Sequence, residues 1–299
     1  MKDWNKFVKG SRNFLKNYII DNRLESCVLG ISGGIDSTIS ACLASPVCKE
    51  LDIPLIGRSL PTVSNHDIEI DVADLVGNVF CNNYAKKSIE ADYIQLLGSL
   101  EREGEVSKLQ RGNIKARLRM IYLRHLASVH KGVVLDNDNF TEWNLGFYTV
   151  GGDQFDINLG LHYLWKTEIY ELADYLCTEY MESTIPIKHS KQSEAIKASM
   201  FLIPTDGNGI SNSDCEQFGL DNYEQVDDVL KTMYYDPIGQ KFTNEKELEE
   251  WNSKHTEEYI RLIDSYNEQG VDKVMILHQN TAYKRKELPI KPTKEELGL

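Results

Sequence analysis

Short apolar runs alternate with longer amphipathic segments along the first half of the chain. The apolar runs span residues 27–32, 53–61 and 132–137. Segments in which apolar residues recur at helical spacing span 3–20, 66–77 and 113–130. Because buried strands that alternate with helices build covered parallel sheets, we predict a Rossmann-like α/β fold, a parallel sheet with helices on both faces. In such sheets ligands bind at the carboxyl ends of the strands.

The second half of the chain has a less regular pattern. Residues 164–182 have helical spacing, and charged helices are predicted near 223–233 and 244–268. Between them, residues 202–219 are rich in Gly, Ser, Asn and Asp, which predicts a long mobile loop. A short basic tail is expected at the C-terminus. Since we find neither an internal repeat nor a linker, we predict that residues 1–299 form a single domain with extra C-terminal helices.

Composition and charge narrow the class of protein. The chain has 299 residues, 41% hydrophobic and 26% charged, which is enough to bury a substantial core. No apolar run is long enough to cross a bilayer, and the N-terminus mixes charged with apolar residues, so we expect a cytoplasmic protein with no membrane partner. The cysteines and histidines show neither CxxC nor HExxH spacing, so neither a disulfide framework nor a zinc site is expected.

The net charge of −13 argues against a nucleic-acid partner, because binding to nucleic acid depends on a basic surface. A small anionic ligand needs only a local positive pocket. Basic residues cluster in two segments, 113–125 and 283–286, that would supply one.

The stretch VLGISGGIDS (28–37) carries the most specific local signal. A buried strand that ends on Ser32-Gly33-Gly34 and turns at once into a helix presents several backbone N–H groups to one small space. The helix N-terminus adds a field that favours anions. Asp36 would repel bare phosphates, but it fits if Mg²⁺ lies between its carboxylate and the phosphate oxygens. A plain strand-to-helix turn is the alternative, and the complete SGGIDS string favours nucleotide binding.

SGGIDS resembles the pyrophosphate-binding loop of the N-type ATP pyrophosphatases, which cleave ATP between its α- and β-phosphates. The further stretches that extend the resemblance are RGNIKARLRM (111–120), EWNLGFYTVGGD (142–153), LWKTEIYELADYL (164–176), PTDG…SDCEQFG (204–219) and YKRKELP (283–289). In this order they are similar to the ammonia-dependent NAD synthetases, from about residue 25 to about residue 290. The resemblance implies an adenine nucleotide alpha hydrolase-like fold. It also implies a homodimer, to which the apolar face of the N-terminal helix could contribute unless that face is buried internally.

The same resemblance implies a two-step ligase reaction. The nicotinate carboxylate of deamido-NAD attacks the α-phosphorus of ATP and gives an acyl-adenylate and pyrophosphate. Ammonia then displaces AMP and leaves NAD. Free ammonia is the expected nitrogen source, because the phosphate loop begins too near the N-terminus to leave room for a glutaminase domain; a separate glutaminase subunit stays open.

The residues that the resemblance carries over fall into three groups. The ATP group is Gly30, Ile31, Ser32, Gly33, Gly34, Ile35, Asp36, Ser37, Asn137, Lys166 and Thr205. The deamido-NAD group is Arg117, Asp153, Asp156, Tyr283 and Lys284. Mg²⁺ is assigned to Asp36 and Glu142, both acidic as a hard cation requires, and these two form the catalytic group with Lys166. Taken singly, Glu142 could be a solvated loop acid, Lys166 a helix-terminal charge and Arg117 part of a surface row with Arg124.

Several positions depart from the family pattern. Asp136-Asn137 stands where the family has Gly-Thr, which places a negative charge near the phosphates. Val150 stands where a lysine is common, Tyr283 replaces a histidine, and Asp156 comes one residue early. The ATP half therefore matches better than the deamido-NAD half. Two alternatives follow: another N-type ATP pyrophosphatase that adenylates a different acceptor, and an inactive nucleotide-binding homologue that keeps the ATP pocket.

Overall fold

Parallel strands form the central sheet of the protein. The computed structural model describes residues 2–153, 156–182, 190–205, 207–234, 245–286 and 291–299. Within these ranges the strands, labelled β1 to β5 in chain order, are Ser26–Gly30, Leu55–Ser59, Asn83–Lys86, Gly132–Asp136 and Ile157–Asn158. Neighbouring strands run parallel in the order β3-β2-β1-β4-β5. The strand order reverses between β1 and β4, and sheets of this kind bind ligands at such a switch point.

The helices connect and cover these strands. In chain order the α-helices of the described residues, α1 to α13, are Trp4–Asp21, Ile35–Glu50, Asp67–Phe80, Glu90–Leu100, Lys108–Val129, Phe140–Leu145, Lys166–Glu182, Lys191–Met200, Asp214–Phe218, Tyr223–Tyr234, Glu245–Ser265, Glu268–Asn280 and Lys294–Leu297. Short 3₁₀ helices span Leu161–Tyr163 and Ala282–Lys286. Within the described ranges, none of the helices combines the length and the apolar character that a bilayer crossing needs.

Alternate residues of the strands pack on opposite faces of the sheet, as the two-residue repeat of a strand requires. On β1, Leu29 packs in a core with α1, α2, α3, α7 and α8, whereas Val28 packs with α4 and α5. The prediction of helices on both faces is therefore confirmed. A third cluster joins α6, α9, α10, α11 and α12 around Phe218 and Leu230. This cluster contains the predicted extra C-terminal helices.

The ends of the chain and the predicted loop differ from the sequence-based expectation. The apolar face of α1 buries Phe7 and Leu15 within its own chain, so it is not a free surface for a subunit contact. The predicted basic tail contains α13, which packs against α1 and fully buries Leu297. Residues 214–218 of the predicted mobile loop form α9, because Ser213 caps that helix and Phe218 anchors it in the third cluster.

Candidate active site

The loop between β1 and α2 follows the carboxyl end of the central strand and has a backbone geometry suited to an anion. Gly33 has a φ of +89°, and a Cβ there would lie 2.5 Å from the carbonyl oxygen of Glu69, so only glycine fits this turn. Gly34 is the N-cap of α2 and supplies no side-chain cap. The first N–H groups of α2 can therefore serve an anion. The hydroxyl oxygens of Ser32 and Ser37 lie 3.1 Å apart in the same loop.

The predicted catalytic residues meet where β1 and β4 end. Asp36 lies in the first turn of α2, Glu142 lies in the first turn of α6, and Lys166 begins α7. The Lys166 ammonium donates to Oδ2 of Asp36 at 2.5 Å and to Oε1 of Glu142 at 3.2 Å. The lysine side chain is only 4% exposed, and those of Asp36 and Glu142 are 14% and 16% exposed. The structure thus brings two acids that are distant in sequence to one buried cation.

Asn139 orients both carboxylates. Its side-chain oxygen accepts from the backbone N–H of Glu142 at 3.0 Å, and its own backbone N–H donates to Oε2 of Glu142 at 3.2 Å. This capping box holds one carboxylate oxygen of Glu142 and leaves the other directed at Lys166. The side-chain amide of Asn139 also donates to Oδ1 of Asp36 at 2.9 Å. The N-x-x-E spacing of residues 139–142 is the sequence signal that would have identified Asn139.

A buried aspartate on α10, Asp227, anchors the two helices that carry Glu142 and Lys166. Its Oδ1 accepts from the hydroxyl of Thr141 at 2.5 Å, and its Oδ2 accepts from the backbone N–H of Thr167 at 2.9 Å. The Thr141 hydroxyl in turn accepts from the backbone N–H of Lys166 at 2.8 Å. Burial raises the pKa of Asp227. The sequence offered no signal for this residue, because a single aspartate in an amphipathic helix has no diagnostic spacing.

The charges around Lys166 favour a bound cation. Burial raises the pKa of Glu142 to about 8, although the Lys166 ammonium opposes the rise. Burial alone would lower the pKa of Lys166, but the carboxylates of Asp36 and Glu142 outweigh it and raise that pKa. Burial and the neighbouring Asp136 carboxylate raise the pKa of Asp138 well above its usual value. The site therefore holds more acidic groups than Lys166 neutralises, which is the setting that a divalent cation stabilises.

A cavity of about 770 Å³ lies beside these residues. A volume in this range suits a nucleotide-sized ligand. Every residue of the predicted ATP group except Gly33 lines it, and so do Arg117, Asp153, Tyr283 and Lys284. The structure therefore joins the predicted ATP group and most of the predicted deamido-NAD group in one space.

Residues 202–205, 207, 208 and 210 also line the cavity, together with the predicted ATP group; this part is called the ATP end below. The hydroxyl of Thr205 donates to Oε1 of Glu69 at 2.6 Å. Two basic residues of α5 hold the same segment: Lys115 donates to the carbonyl oxygen of Asn208 at 3.1 Å, and Arg119 donates to its side-chain oxygen at 2.9 Å. The predicted ATP threonine is thus part of a loop that is tied to α3 and α5.

Arg117 and Asp153 both contact the loop that contains Thr149 and Val150, in the part of the cavity lined by the predicted deamido-NAD group and called the acceptor end below. Arg117 donates through Nε and Nη2 to the carbonyl oxygen of Val150, both at 3.3 Å. The backbone N–H of Thr149 donates to Oδ1 of Asp153 at 2.5 Å. Burial raises the pKa of Asp153 to about 6, and hydrogen bonds from the backbone limit the rise. Arg117 and Asp153 are thus both held by hydrogen bonds to the backbone of this loop.

Lys284 joins the short C-terminal 3₁₀ helix to the loop after α6. Its ammonium donates to the carbonyl oxygens of Gly146 at 2.7 Å and Tyr148 at 2.6 Å. The Tyr148 hydroxyl donates back to the carbonyl oxygen of Lys284 at 2.5 Å. These bonds use two of the three N–H donors of the ammonium and leave one for a ligand. The neighbouring Tyr283 is 64% exposed.

Two acids lie away from the place that the sequence suggested. Asp156 accepts from Arg124 at 2.7 Å and from the backbone N–H of Val134 at 3.2 Å, and it does not line the cavity. The structure therefore does not bring Asp156 to the deamido-NAD group. Asp136, expected beside the phosphates, is fully buried and does not line the cavity, because β4 directs it toward Asn158. Asp138 is the acid that lines the cavity at this point.

These features define an α/β nucleotide-binding protein whose phosphate loop, acidic pair and buried lysine meet at the switch point of a parallel sheet. The model of the NAD synthase family matches residues 7–288. The chain therefore belongs to the NAD synthase family, which confirms the resemblance found in the sequence. The NH(3)-dependent NAD(+) synthetase of Thermoplasma volcanium is 29% identical over 234 residues, which cover 78% of this chain and 86% of that protein.

Solved structures share the fold. The NMN synthetase of Francisella tularensis superposes with a TM-score of 0.70 at 22% identity, over 96% of this chain and 98% of that chain. The NH3-dependent NAD synthetase of Campylobacter jejuni superposes with a TM-score of 0.64 at 22% identity, over 96% of this chain and 99% of that chain. At these identities the two likenesses establish the predicted α/β fold and nothing about the ligand.

Proposed function

We propose that this protein is an ATP-dependent ligase that amidates deamido-NAD with ammonia. The products are NAD, AMP and pyrophosphate, and the intermediate is an acyl-adenylate. Membership of the NAD synthase family and the curated NH(3)-dependent relatives support this function over the two alternatives raised by the sequence. The single observation that carries it is the meeting of Asp36, Glu142 and Lys166 beside the phosphate loop.

The residues of the ATP end act by position and charge. The phosphates bind at Gly30 to Ser37, where the N-terminus of α2 and the glycine turn supply N–H donors. Lys166 uses two of its N–H donors on Asp36 and Glu142, and the third is available to a phosphate oxygen. Because the nucleophile is the carboxylate of the substrate, adenylation needs alignment and charge stabilisation and requires no nucleophile from the protein.

Asp36 and Glu142 fit the proposed Mg²⁺ site. Each directs a carboxylate oxygen at the same nitrogen, and the raised pKa of Glu142 reflects buried negative charge that a cation would stabilise. A Mg²⁺ ion bound there would offset phosphate charge and polarise the phosphoryl oxygens. Hydrogen bonds from Asn139 fix the orientation of both carboxylates, so that they could bind the same ion.

The acceptor end suits an anionic substrate. Arg117 and Lys284 line the cavity with positive charge, and Asp153 and Tyr283 complete the proposed deamido-NAD contacts. Asp156 is not part of this end of the cavity. Free ammonia is the proposed nitrogen source.

We also propose that the protein is a cytoplasmic homodimer of one domain per chain, with the interface near the acceptor end. Ile94 on α4 and Ile121 on α5 are 58% and 56% exposed, and Arg117 lies one turn of α5 before Ile121. Light scattering of the purified protein should give twice the chain mass of 34.2 kDa, and the Ile121→Asp protein should have the mass of one chain. A wild-type mass of one chain would refute the dimer.

An assay of the purified protein tests the function. The protein is incubated with ATP, Mg²⁺, ammonium and deamido-NAD, and AMP, pyrophosphate and NAD are followed. Equal amounts of the three products are expected, and glutamine in place of ammonium should give no NAD. AMP without NAD would favour a different acceptor, and no AMP would favour an inactive nucleotide-binding homologue. Because an NMN synthetase shares the fold, nicotinate mononucleotide is tested in parallel. If the protein prefers it, nicotinate mononucleotide becomes the proposed substrate in place of deamido-NAD.

A further inference from the structure

A second cluster of acidic and imidazole groups lies at the carboxyl ends of β4 and β5. Asp136 ends β4, Asp138 follows two residues later, and His162 lies in the 3₁₀ helix after β5. One potential ligand atom from each of the three side chains lies within 4.8 Å of the other two. Their exposed fractions are 0%, 8% and 1%, respectively. The cluster is thus buried, and only Asp138 reaches the cavity.

His162 has no hydrogen-bond partner for either ring nitrogen within the described part of the chain, and neither has Oδ2 of Asp138. A buried polar atom without a partner costs on the order of 1–3 kcal/mol, so such atoms are rare in folded proteins. Nε2 of His162 lies 3.5 Å from Oδ1 of Asp136. One ion can bind only one nitrogen of the ring, so a ligand at this place would satisfy one nitrogen of His162 and Oδ2 of Asp138.

The surrounding residues orient the cluster. The side-chain amide of Asn158 donates to Oδ1 of Asp136 at 2.7 Å, and its oxygen accepts from the backbone N–H of His162 at 3.0 Å. Gly160 turns the chain between them with a φ of +102°, and a Cβ there would meet Leu297 at 2.8 Å. Hydrogen bonds that orient ligand side chains in this way are typical of metal sites. A metal ion also explains why two carboxylates and an imidazole are buried together.

We propose that Asp136, Asp138 and His162 form a binding site for one divalent transition-metal ion, Zn²⁺ or Mn²⁺. Carboxylate oxygens and imidazole nitrogen are the donors that these ions use. Ligand bonds to zinc of about 2.0–2.2 Å require the three groups to draw together by side-chain rotation. Its proposed ligands differ from Asp36 and Glu142, although Asp138 lies near both, and the ion would fix the turn that carries Asn137 to Glu142. The proposed site departs from the expectation, drawn from sequence spacing alone, that no zinc site is present.

Metal content measured by mass spectrometry tests the site. The full-length protein is stripped with a chelator, equilibrated with Zn²⁺ or Mn²⁺ in separate samples, and dialysed. One retained ion per chain is expected with at least one of the two metals. The double variant Asp36→Asn/Glu142→Gln should retain that ion, because the proposed Mg²⁺ site is elsewhere. His162→Gln removes a proposed ligand and should weaken retention by more than the roughly 10–100-fold typical of a lost outer-shell partner. His125→Gln, which changes an exposed histidine on α5, should leave retention unchanged.

A folded His162→Gln protein that retains the ion would overturn the proposal, as would loss of the ion from the Asp36→Asn/Glu142→Gln protein. If His162→Gln does not fold by circular dichroism, Asp138→Asn replaces it with the same expectation. Anomalous scattering from a wild-type crystal equilibrated with Zn²⁺ or Mn²⁺ requires no variant. A peak between Asp136 and His162 is expected. A water molecule on His162 with no anomalous signal for either metal would refute the site.

Discussion

The two ends of the cavity are built in different ways. At the ATP end, Asp36, Glu142 and Lys166 lie on helices that begin at strand ends, and a buried Asp227 ties two of those helices together. At the acceptor end, the wall includes Val150 of a loop and Tyr283 of the short C-terminal 3₁₀ helix, which are 45% and 64% exposed. The proposed adenylation centre therefore lies in the core, whereas part of the proposed acceptor site lies at the surface. The departures from the family pattern include Val150 and Tyr283 of that wall.

Removing a carboxylate at the ATP end should have the largest effect. Asp36→Ala removes an oxygen from the proposed Mg²⁺ site and a partner of Lys166, so we expect turnover to fall by about 10²–10³-fold or more, the loss typical of one preorganised electrostatic group. The fold should remain intact by circular dichroism. Asp67→Ala removes an exposed acid from the first turn of α3 and serves as the matched control. Near-normal NAD formation by Asp36→Ala would contradict the metal role.

Loosening the anchor of the ATP end should have the next largest effect. Asp227→Ala leaves the Thr141 hydroxyl and the Thr167 N–H without their partner, so α6 and α7 lose their fixed relation. We expect kcat to fall about 10–100-fold, because small displacements of reacting groups cause rate losses of this size. The change in KM for ATP should be smaller. Asp227→Asn, which keeps an acceptor, should restore part of the rate.

The neighbouring Asp228→Ala is the control for Asp227, because Asp228 pairs with Arg261 on the surface. Equal loss of kcat in both variants would show that α10 matters only for general stability. Thermal unfolding of each variant separates this outcome from the proposed positioning role.

A change at the acceptor end should affect one substrate only. Arg117→Ala removes a positive charge from the cavity, so we expect KM for deamido-NAD to rise about tenfold, in line with one charge-assisted hydrogen bond, and KM for ATP to stay constant. Arg124→Ala lies seven residues further along α5 and pairs with Asp156 outside the cavity, so it should leave both KM values unchanged. An equal rise in KM for deamido-NAD with Arg124→Ala would place Asp156 back in the acceptor site.

Acid pH should lower the stability of the protein slightly. Burial lowers the pKa of His278 from 6.5 to about 4, and the positive charge of Arg285 adds to this effect. Nδ1 of His278 lies 2.9 Å from the carbonyl oxygen of Asn144, in the last turn of α6. The unfolded chain therefore takes up a proton that the folded chain excludes, so stability present above pH 6.5 is lost as the pH falls toward 4.

His278→Gln should remove this part of the pH dependence, a difference on the order of 1 kcal/mol once partial exposure is taken into account. Urea unfolding at several pH values measures it, with His125→Gln as the control. Identical pH profiles for the wild type and His278→Gln would show that this histidine does not contribute to the pH dependence of stability.

The sequence predicted the central elements of the fold because their patterns are local. β1, β2 and β4 are apolar runs, and the glycine turn before Asp36 has a fixed spacing. β3 and β5 have no such signal, since β3 is a mostly exposed edge strand and β5 has two residues. Helix α5 begins at Lys108, before the predicted start at 113, because Ser107 and Gln110 form a capping box.

Contacts between distant residues explain what the sequence did not show of the site. Asp227 acts through Thr141, which is 86 positions away, and no spacing rule connects the two. No spacing rule connects Asp136 and His162 either, because their contact depends on the register of β4 and β5. Single-residue assignments to ATP and deamido-NAD came from the family resemblance, and their roles in binding stay predictions.

Exchange of labelled pyrophosphate into ATP, measured with deamido-NAD but without ammonia, tests the central claim most directly. This exchange reports adenylation of the acceptor alone and leaves amide formation aside. We predict exchange that depends on deamido-NAD in the wild type and none in folded Asp36→Asn or Glu142→Gln protein. Wild-type exchange that needs no acceptor, or undiminished exchange in both variants, would contradict the claim that these two carboxylates and Lys166 form the adenylation centre.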